Sequence, residues 1–186
     1  MRFQRFFGLG VLSLSLLTAT AFAQDKAAKQ AEIVKSTQAS TERFYKAKPD
    51  LKAAVAKAPG YAVFTTYGVS FLIGGSGGTG LVHDNKTKKN TYMNVGGASA
   101  GLQLGASQTE MMIVFKTAAA MNKFIDKGWE MSGSATASAG ASGAQAGGGK
   151  GTTAMEEADT YTLTKNGLEV GLAAGVSKFW KDKDLN

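Results

Sequence analysis

Polar and apolar positions change rhythm three times along this chain. From Asp25 to Lys48 the apolar and threonine positions Ile33, Val34, Thr37, Thr41, Phe44 and Tyr45 recur at the i, i+3, i+4, i+7 spacing of one helix face, while Lys29, Lys35, Arg43 and Lys46 fall largely elsewhere. Ala, Lys, Gln and Glu dominate its first half, and glycine is absent, as a helix requires. Pro49 suits the first turn of a second, short helix with Leu51 and Val55 inward, and Pro59-Gly60 ends it.

At Gly60 the period shifts to that of strands. Tyr61 to Tyr67 and Val69 to Ile73 are two runs rich in β-branched and aromatic residues, closed by glycines at 74, 75, 77, 78 and 80. Leu81-Val-His83 continues extended, Asp84 to Asn90 is a polar turn, and Thr91 to Val95 is the returning strand. Gly97, Gly101 and Gly105 strip side chains from one face at even spacing, which permits the sharp bends of a small closed sheet. Glu110 to Phe115 reads as a further strand. Thr117 to Lys127 reads as a helix with Thr117 as N-cap, an inner face of Ala118, Met121, Phe124 and Ile125, and Gly128 as its left-handed terminator. Trp129 to Met131 opens the next segment. Ser132 to Ala154 is nearly all Gly, Ala, Ser and Thr, a composition compatible with a loop or with strands of small residues. Ala158 onward is a hairpin turning at Asn166-Gly167, with Leu168 to Val176 returning, Phe179-Trp180 as an aromatic anchor and Lys181 to Asn186 as a charged tail.

The first 23 residues have the three parts of an export signal: basic Arg2 and Arg5, an apolar stretch from Phe6 to Leu17, and Ala21-Phe22-Ala23 ahead of Gln24. The expected mature chain, 24–186, is long enough for one domain, with a helical segment at 24–58 and an α+β domain at 59–186. The expected compartment is the periplasm, with membrane association or an extracellular destination as variants of it. The chain has no cysteine, so neither a lipid-anchoring thiol after Ala23 nor a disulfide is available. The net charge of +7, or +5 without Arg2 and Arg5, favours an anionic partner. Export makes a membrane surface the accessible one, rather than nucleic acid.

Catalytic and cofactor patterns fail on inspection. Gly75-Ser-Gly77-Gly-Thr-Gly80 fits G-x-G-x-x-G after a strand, but a strand and a turn follow where a dinucleotide site needs a helix, and positions 94–109 hold no acidic residue. Gly147-Gly-Gly-Lys150-Gly-Thr152 misses the phosphate-loop pattern at Ala144 and at Gly151. His83, the one histidine, reads as a strand-end surface residue, and a zinc site of His or Cys ligands is nearly excluded. Glu156, Glu157 and Asp159 read as a solvated edge rather than a cation site. Neither a cofactor nor a metal is expected. Lys86, Lys88 and Lys89 gather in one turn, which suits either a soluble loop or contact with phosphate headgroups.

Several of these segments occur in a characteristic order: Pro59-Gly-Tyr-Ala-Val-Phe64; Gly74-Gly75 leading to Gly78-Thr-Gly80-Leu-Val82; Gly101-Leu-Gln-Leu-Gly105; Met112-Ile-Val-Phe115 before a helix bearing Phe124; Asn166-Gly-Leu168; and Lys178-Phe-Trp180 with the ending through Asn186. In that order and spacing the chain, over roughly 59–186, resembles the lipid-binding SYLF domain family, as an exported bacterial member. The resemblance implies an α+β fold with a strongly bent antiparallel sheet, or small barrel, flanked by helices. It also implies phospholipid binding rather than catalysis. The family often has Pro and then Lys after the GYAVF motif; here Thr65 follows Phe64 and no lysine occurs before Lys86, so no basic contact is implied at that spot.

The expectation is a non-enzymatic protein associating peripherally with anionic phospholipid. Its candidate contacts are Lys29, Lys35, Arg43 and Lys46 on the helix and Lys86, Lys88 and Lys89 in the turn. The alternative is a structural or interaction protein of the envelope that docks a protein partner.

Overall fold

The computed structural model describes residues 14–71, 73–100, 105–133, 157–164, 167–170 and 175–186. Three helices and eight strands follow in the order α1 (Leu14–Ala47), α2 (Asp50–Lys57), β1 (Gly60–Phe71), β2 (Ile73–Asp84), β3 (Asn90–Ala100), β4 (Gly105–Phe115), α3 (Ala118–Lys127), β5 (Trp129–Gly133), β6 (Ala158–Thr164), β7 (Gly167–Val170) and β8 (Gly175–Lys181). The strands form one antiparallel sheet in the order β5-β8-β3-β2-β1-β4-β6-β7, strongly curled into a half-barrel, so the fold is α+β. Among the described residues no helix is long and apolar enough to cross a membrane.

The curl follows from chain length and from ring contacts. β7 and β8 stand six places apart in the sheet, about 29 Å if it were flat. Only five residue steps join Val170 to Gly175, a reach of at most about 18 Å. Phe64 of β1 and Phe179 of β8, three places apart, bring their ring centroids to 4.9 Å. Phe115 of β4 and Trp129 of β5, five places apart, meet at 5.9 Å.

Glycine makes this curvature attainable. A Cβ on Gly78 would land on the carbonyl of Thr65, and one on Gly80 on the carbonyl of Val63 and the ring of Phe64. Both occupy the inner, concave face, which they share with Val82 by alternation. The glycine cluster therefore lies inside a strand, paired with β1 and β3 along its length.

Helix α3 fills the concave side. Phe124, fully buried, sits within 5.0–6.1 Å of the rings of Phe64, Phe115, Trp129 and Phe179. Thr117 caps α3, its Oγ1 accepting from the backbone N–H of Ala120 at 3.1 Å, and Gly128 ends it at φ 67°. Helices α1 and α2 cover part of the convex side. There Phe44, Leu51 and Val55 pack on Val63, Met112 and Val114. Ile33 packs on Leu81 and Leu185. The threonines in the α1 stripe are accommodated locally: Thr41 donates its hydroxyl to the carbonyl of Thr37 at 2.8 Å.

Three expectations change. The run Val69–Ile73 straddles a hairpin rather than forming a strand, with Phe71 paired to Ile73. Leu168–Val176 is not one strand: β7 pairs with β6 at one edge, and β8 enters between β5 and β3 at the other. Helix α1 starts at Leu14, upstream of Asp25. The charged C-terminal tail is docked on β3 and α1. Asn186 presents its side-chain amide to the backbone of Tyr92, accepting from its N–H at 2.9 Å and donating to its carbonyl at 2.8 Å, as a neighbouring strand would. Asp182 accepts from the N–H groups of Asp184 and Leu185, and Gln30 of α1 donates to the carbonyl of Leu185 at 2.7 Å. Gly101 and positions 134–154 lie outside the described residues, as does Asn166, although Gly167 has the expected positive φ of 118°.

Candidate functional site

The seven basic candidates fall into two sets, those already neutralised by an acid and those left to solvent. Lys29 pairs with Asp25 one turn earlier on α1 at 2.8 Å, and this bond holds its ammonium above the usual lysine range. Arg43 is held by Glu110 of β4. Its Nε donates to Oε2 at 3.0 Å, Nη2 reaches Oε1, and Nη2 also donates to Ser40 Oγ at 3.2 Å. Glu110 is buried at 5% exposure, so this pair pins α1 to the sheet. The bond to Glu110 raises the Arg43 pKa further. Next to it, Ser36 and Ser40 share a hydroxyl contact with Thr65 Oγ1, each at 3.4 Å.

Lys35 and Lys46 are exposed on α1, at helix positions turned away from the buried Ile33, Thr37, Ser40 and Phe44 stripe. Lys86, Lys88 and Lys89 are exposed in the β2–β3 turn. Among the described residues none of these five has a carboxylate within ion-pair distance.

The turn carrying three of them is rigidly built. Asp84 Oδ1 accepts from the backbone N–H groups of Lys86 at 2.7 Å and Thr87 at 2.9 Å, and these bonds, that of Thr87 foremost, hold its carboxyl below the usual range. Asn85 donates its side-chain amide to the carbonyls of Val55 and Ala58, tying the turn to the end of α2. Lys88 adopts φ 60°, uncommon for a residue with a side chain. Three cations are thus presented on a fixed platform.

The remaining candidates for chemistry have structural partners. His83 Nδ1 lies 2.7 Å from Asn90 Oδ1, and its ring tilts against Tyr61 at 5.5 Å, so this strand-end histidine is part of the sheet. Glu157 is bonded by Lys123 and Asp159 by Lys116. Glu156 lies outside the described residues, and among these no cluster of three metal-ligating side chains occurs.

Sequence reasoning missed a second surface. The two large hydrophobic side chains that stand exposed among the described residues are Tyr67 at 62% and Trp180 at 43%. Both project from the convex sheet face. Their relation is set by register between distant strands, which no local pattern reveals.

Residues 96–186 match the family model Ysc84, described as Las17-binding protein actin regulator. Beta cell expansion factor A of Aeromonas veronii is 32% identical over 164 residues, which cover 86% of this chain and 60% of that protein. The chain therefore spans less than two thirds of the length of this curated relative. The family match takes in β4 to β8, the end of β3 and the docked tail, so over residues 96–186 the chain is similar to the Ysc84, or SYLF, family, and along most of its length it is similar to that relative.

Proposed function

We propose that this protein is a non-enzymatic, peripheral phospholipid-binding protein of the periplasm, in which the unpaired cations meet anionic headgroups. The observation that carries the reading is the fixed turn with Lys86, Lys88 and Lys89 exposed and without acidic partners among the described residues. Lys35 and Lys46 add a second group on α1. Lysine near an anionic membrane contributes about 1 kcal/mol each, so the turn supplies roughly 3 kcal/mol, on the order of a hundredfold in affinity. The basic excess, +5 once Arg2 and Arg5 are removed, and the family-model match over residues 96–186 support the same reading, and the pattern of residues 2–23 supports the compartment.

The test is flotation with liposomes, one set neutral and one rich in phosphatidylglycerol and cardiolipin, at low and high salt. Binding to the anionic set, weakened by salt and lost when Lys86, Lys88 and Lys89 become Glu, is the expected result. Equal flotation of the triple variant would remove the turn from the reading. A second reading, docking of a protein partner in the envelope, draws on the family model's description as a Las17-binding protein. Salt-resistant capture of a saturating partner, without lipid binding, would favour it.

A further inference from the structure

Helix α1 crosses the convex sheet face along the row of Val63 and Thr65, where Ser36, Ser40 and Phe44 make their contacts. Beyond that row, among the described residues, no helix covers the face. The register there sets Tyr67 opposite Gly77 and Gly77 opposite Gly96; one row nearer α1, Thr79 faces Asn94 and Asn94 faces Trp180. Tyr67 of β1 and Trp180 of β8 thus flank a floor of glycine on the two strands between them, β2 and β3. Trp180 leans over that floor: a Cβ on Gly96 would lie 3.1 Å from its ring. Gly75 and Gly77 differ from Gly78 and Gly80. A Cβ at either meets nothing within 4 Å, so neither the curl nor the packing demands glycine there. Bare glycine in a strand suits a surface that something approaches closely.

We propose that this glycine-floored face, walled by Tyr67 and Trp180, is a second membrane contact that seats its aromatic side chains in the headgroup layer of an anionic bilayer and holds on in high salt. The inference rests on the lipid reading above and adds to it a surface, residues and a salt response. Three observations select the bilayer as occupant. Tyrosine and tryptophan join an apolar body to a polar tip and settle at membrane–water boundaries. The face is the convex side of the sheet, the shape that meets a plane. The basic excess, +7 in the full chain and +5 without Arg2 and Arg5, complements an anionic surface and draws the protein to it, while the face itself is close to neutral: Arg43 is bonded to Glu110, and Lys178 stands opposite Glu130 in register. The contact is therefore apolar and interfacial. The lysine turn lies eight residues further along β2, about 26 Å from Gly77, with α1 and α2 over the intervening sheet. The two contacts are separable by mutation.

The experiment uses the protein recovered after expression of the full chain, its Trp180→Phe variant, and vesicles of phosphatidylglycerol with and without brominated acyl chains. Trp129 is packed against Phe115 and Phe124, so Trp180 is the fluorophore free to report. The expected result is a shift of emission to shorter wavelength and quenching by bromine in the wild type, both absent in Trp180→Phe. At about 1 M salt, where screening lengths fall to about 3 Å, a fraction should still float and be lost in the Tyr67→Ser, Trp180→Ser variant. Flotation with no change in Trp180 emission would overturn this inference and leave the lysine reading standing. No flotation at all would overturn both. A concentration-dependent shift without vesicles would assign the face to a second copy of the chain and overturn the membrane as occupant.

Discussion

The pair Arg43–Glu110 allows a quantitative test of what holds α1 on the sheet. The Glu110 side chain is 6% exposed and that of Arg43 49%. Arg43→Met leaves the carboxylate buried with, among the described residues, one remaining side-chain donor, the Gln108 amide at 3.4 Å. Breaking a fully buried pair costs about 3–5 kcal/mol; water reaches the arginine side here, so about 2–3 kcal/mol is expected. Glu110→Leu leaves a half-exposed guanidinium that solvent can hydrate, and should cost about 1 kcal/mol. The double variant removes both charges and fills the space with apolar atoms, so it should also cost about 1 kcal/mol, less than Arg43→Met alone. The cycle then yields a coupling of about 2 kcal/mol. Urea unfolding followed by circular dichroism measures all four proteins at pH 7. Additivity within about 0.5 kcal/mol would refute the argument, since it would mean that the carboxylate is hydrated and the pair does not hold the helix. Because the guanidinium is already engaged, the double variant should float with anionic vesicles as the wild type does.

Three further outcomes are expected. Phe124→Ala removes the ring at the centre of four aromatic contacts and should destabilise by about 3–5 kcal/mol in urea, against about 1 kcal/mol for Phe124→Leu; a cost below about 2 kcal/mol for the alanine variant would show that α3 is not integral to the core. Gly80→Val places a side chain on the Val63 carbonyl and should abolish soluble folded protein, whereas Gly77→Val should be tolerated; equal expression and melting of both would contradict the division of the glycines by face. Burial raises the pKa of Tyr61, and likewise those of Tyr45 and Tyr161, above the tyrosine reference of 10.0. The folded state thus holds these protons more tightly than the unfolded one, so stability should be level through neutral pH and fall as pH rises past about 10, read by urea midpoints across pH 8–11.

Elements whose signals are local were legible in the sequence. The α1 stripe, the inward Leu51 and Val55 of α2, and the Thr117 cap and Gly128 terminator of α3 all depend on residues within a few positions of one another. The misreadings have two physical origins, a tight hairpin whose flanks carry no local break and the pairing of groups distant in the chain. Apolar residues on both sides of the β1–β2 hairpin read as a single run, because the hairpin is short and its flanks are equally β-prone. β7 and β8 read as one strand because alternation carries no information about which neighbour a strand chooses. Arg43 read as a free cation because its carboxylate lies 67 residues away, and the docking of the charged tail was not legible because its anchor is a side-chain amide standing in for a strand.

The glycines connect the fold to the proposed surfaces. Because strand residues alternate between faces, one run in β2 performs two tasks at once. Gly78 and Gly80 point inward, where the curl brings neighbouring backbone too close for any side chain. Gly75 and Gly77 point outward, where nothing crowds them and the surface is left low between Tyr67 and Trp180. A dinucleotide loop would require the same glycines to leave the sheet and open a helix. Pairing of Ile73–Asp84 with both neighbours keeps them within it. The run that imitates a cofactor motif therefore sets the curvature that encloses Phe124 on one face, and on the other leaves open the stretch of sheet that α1 does not cover.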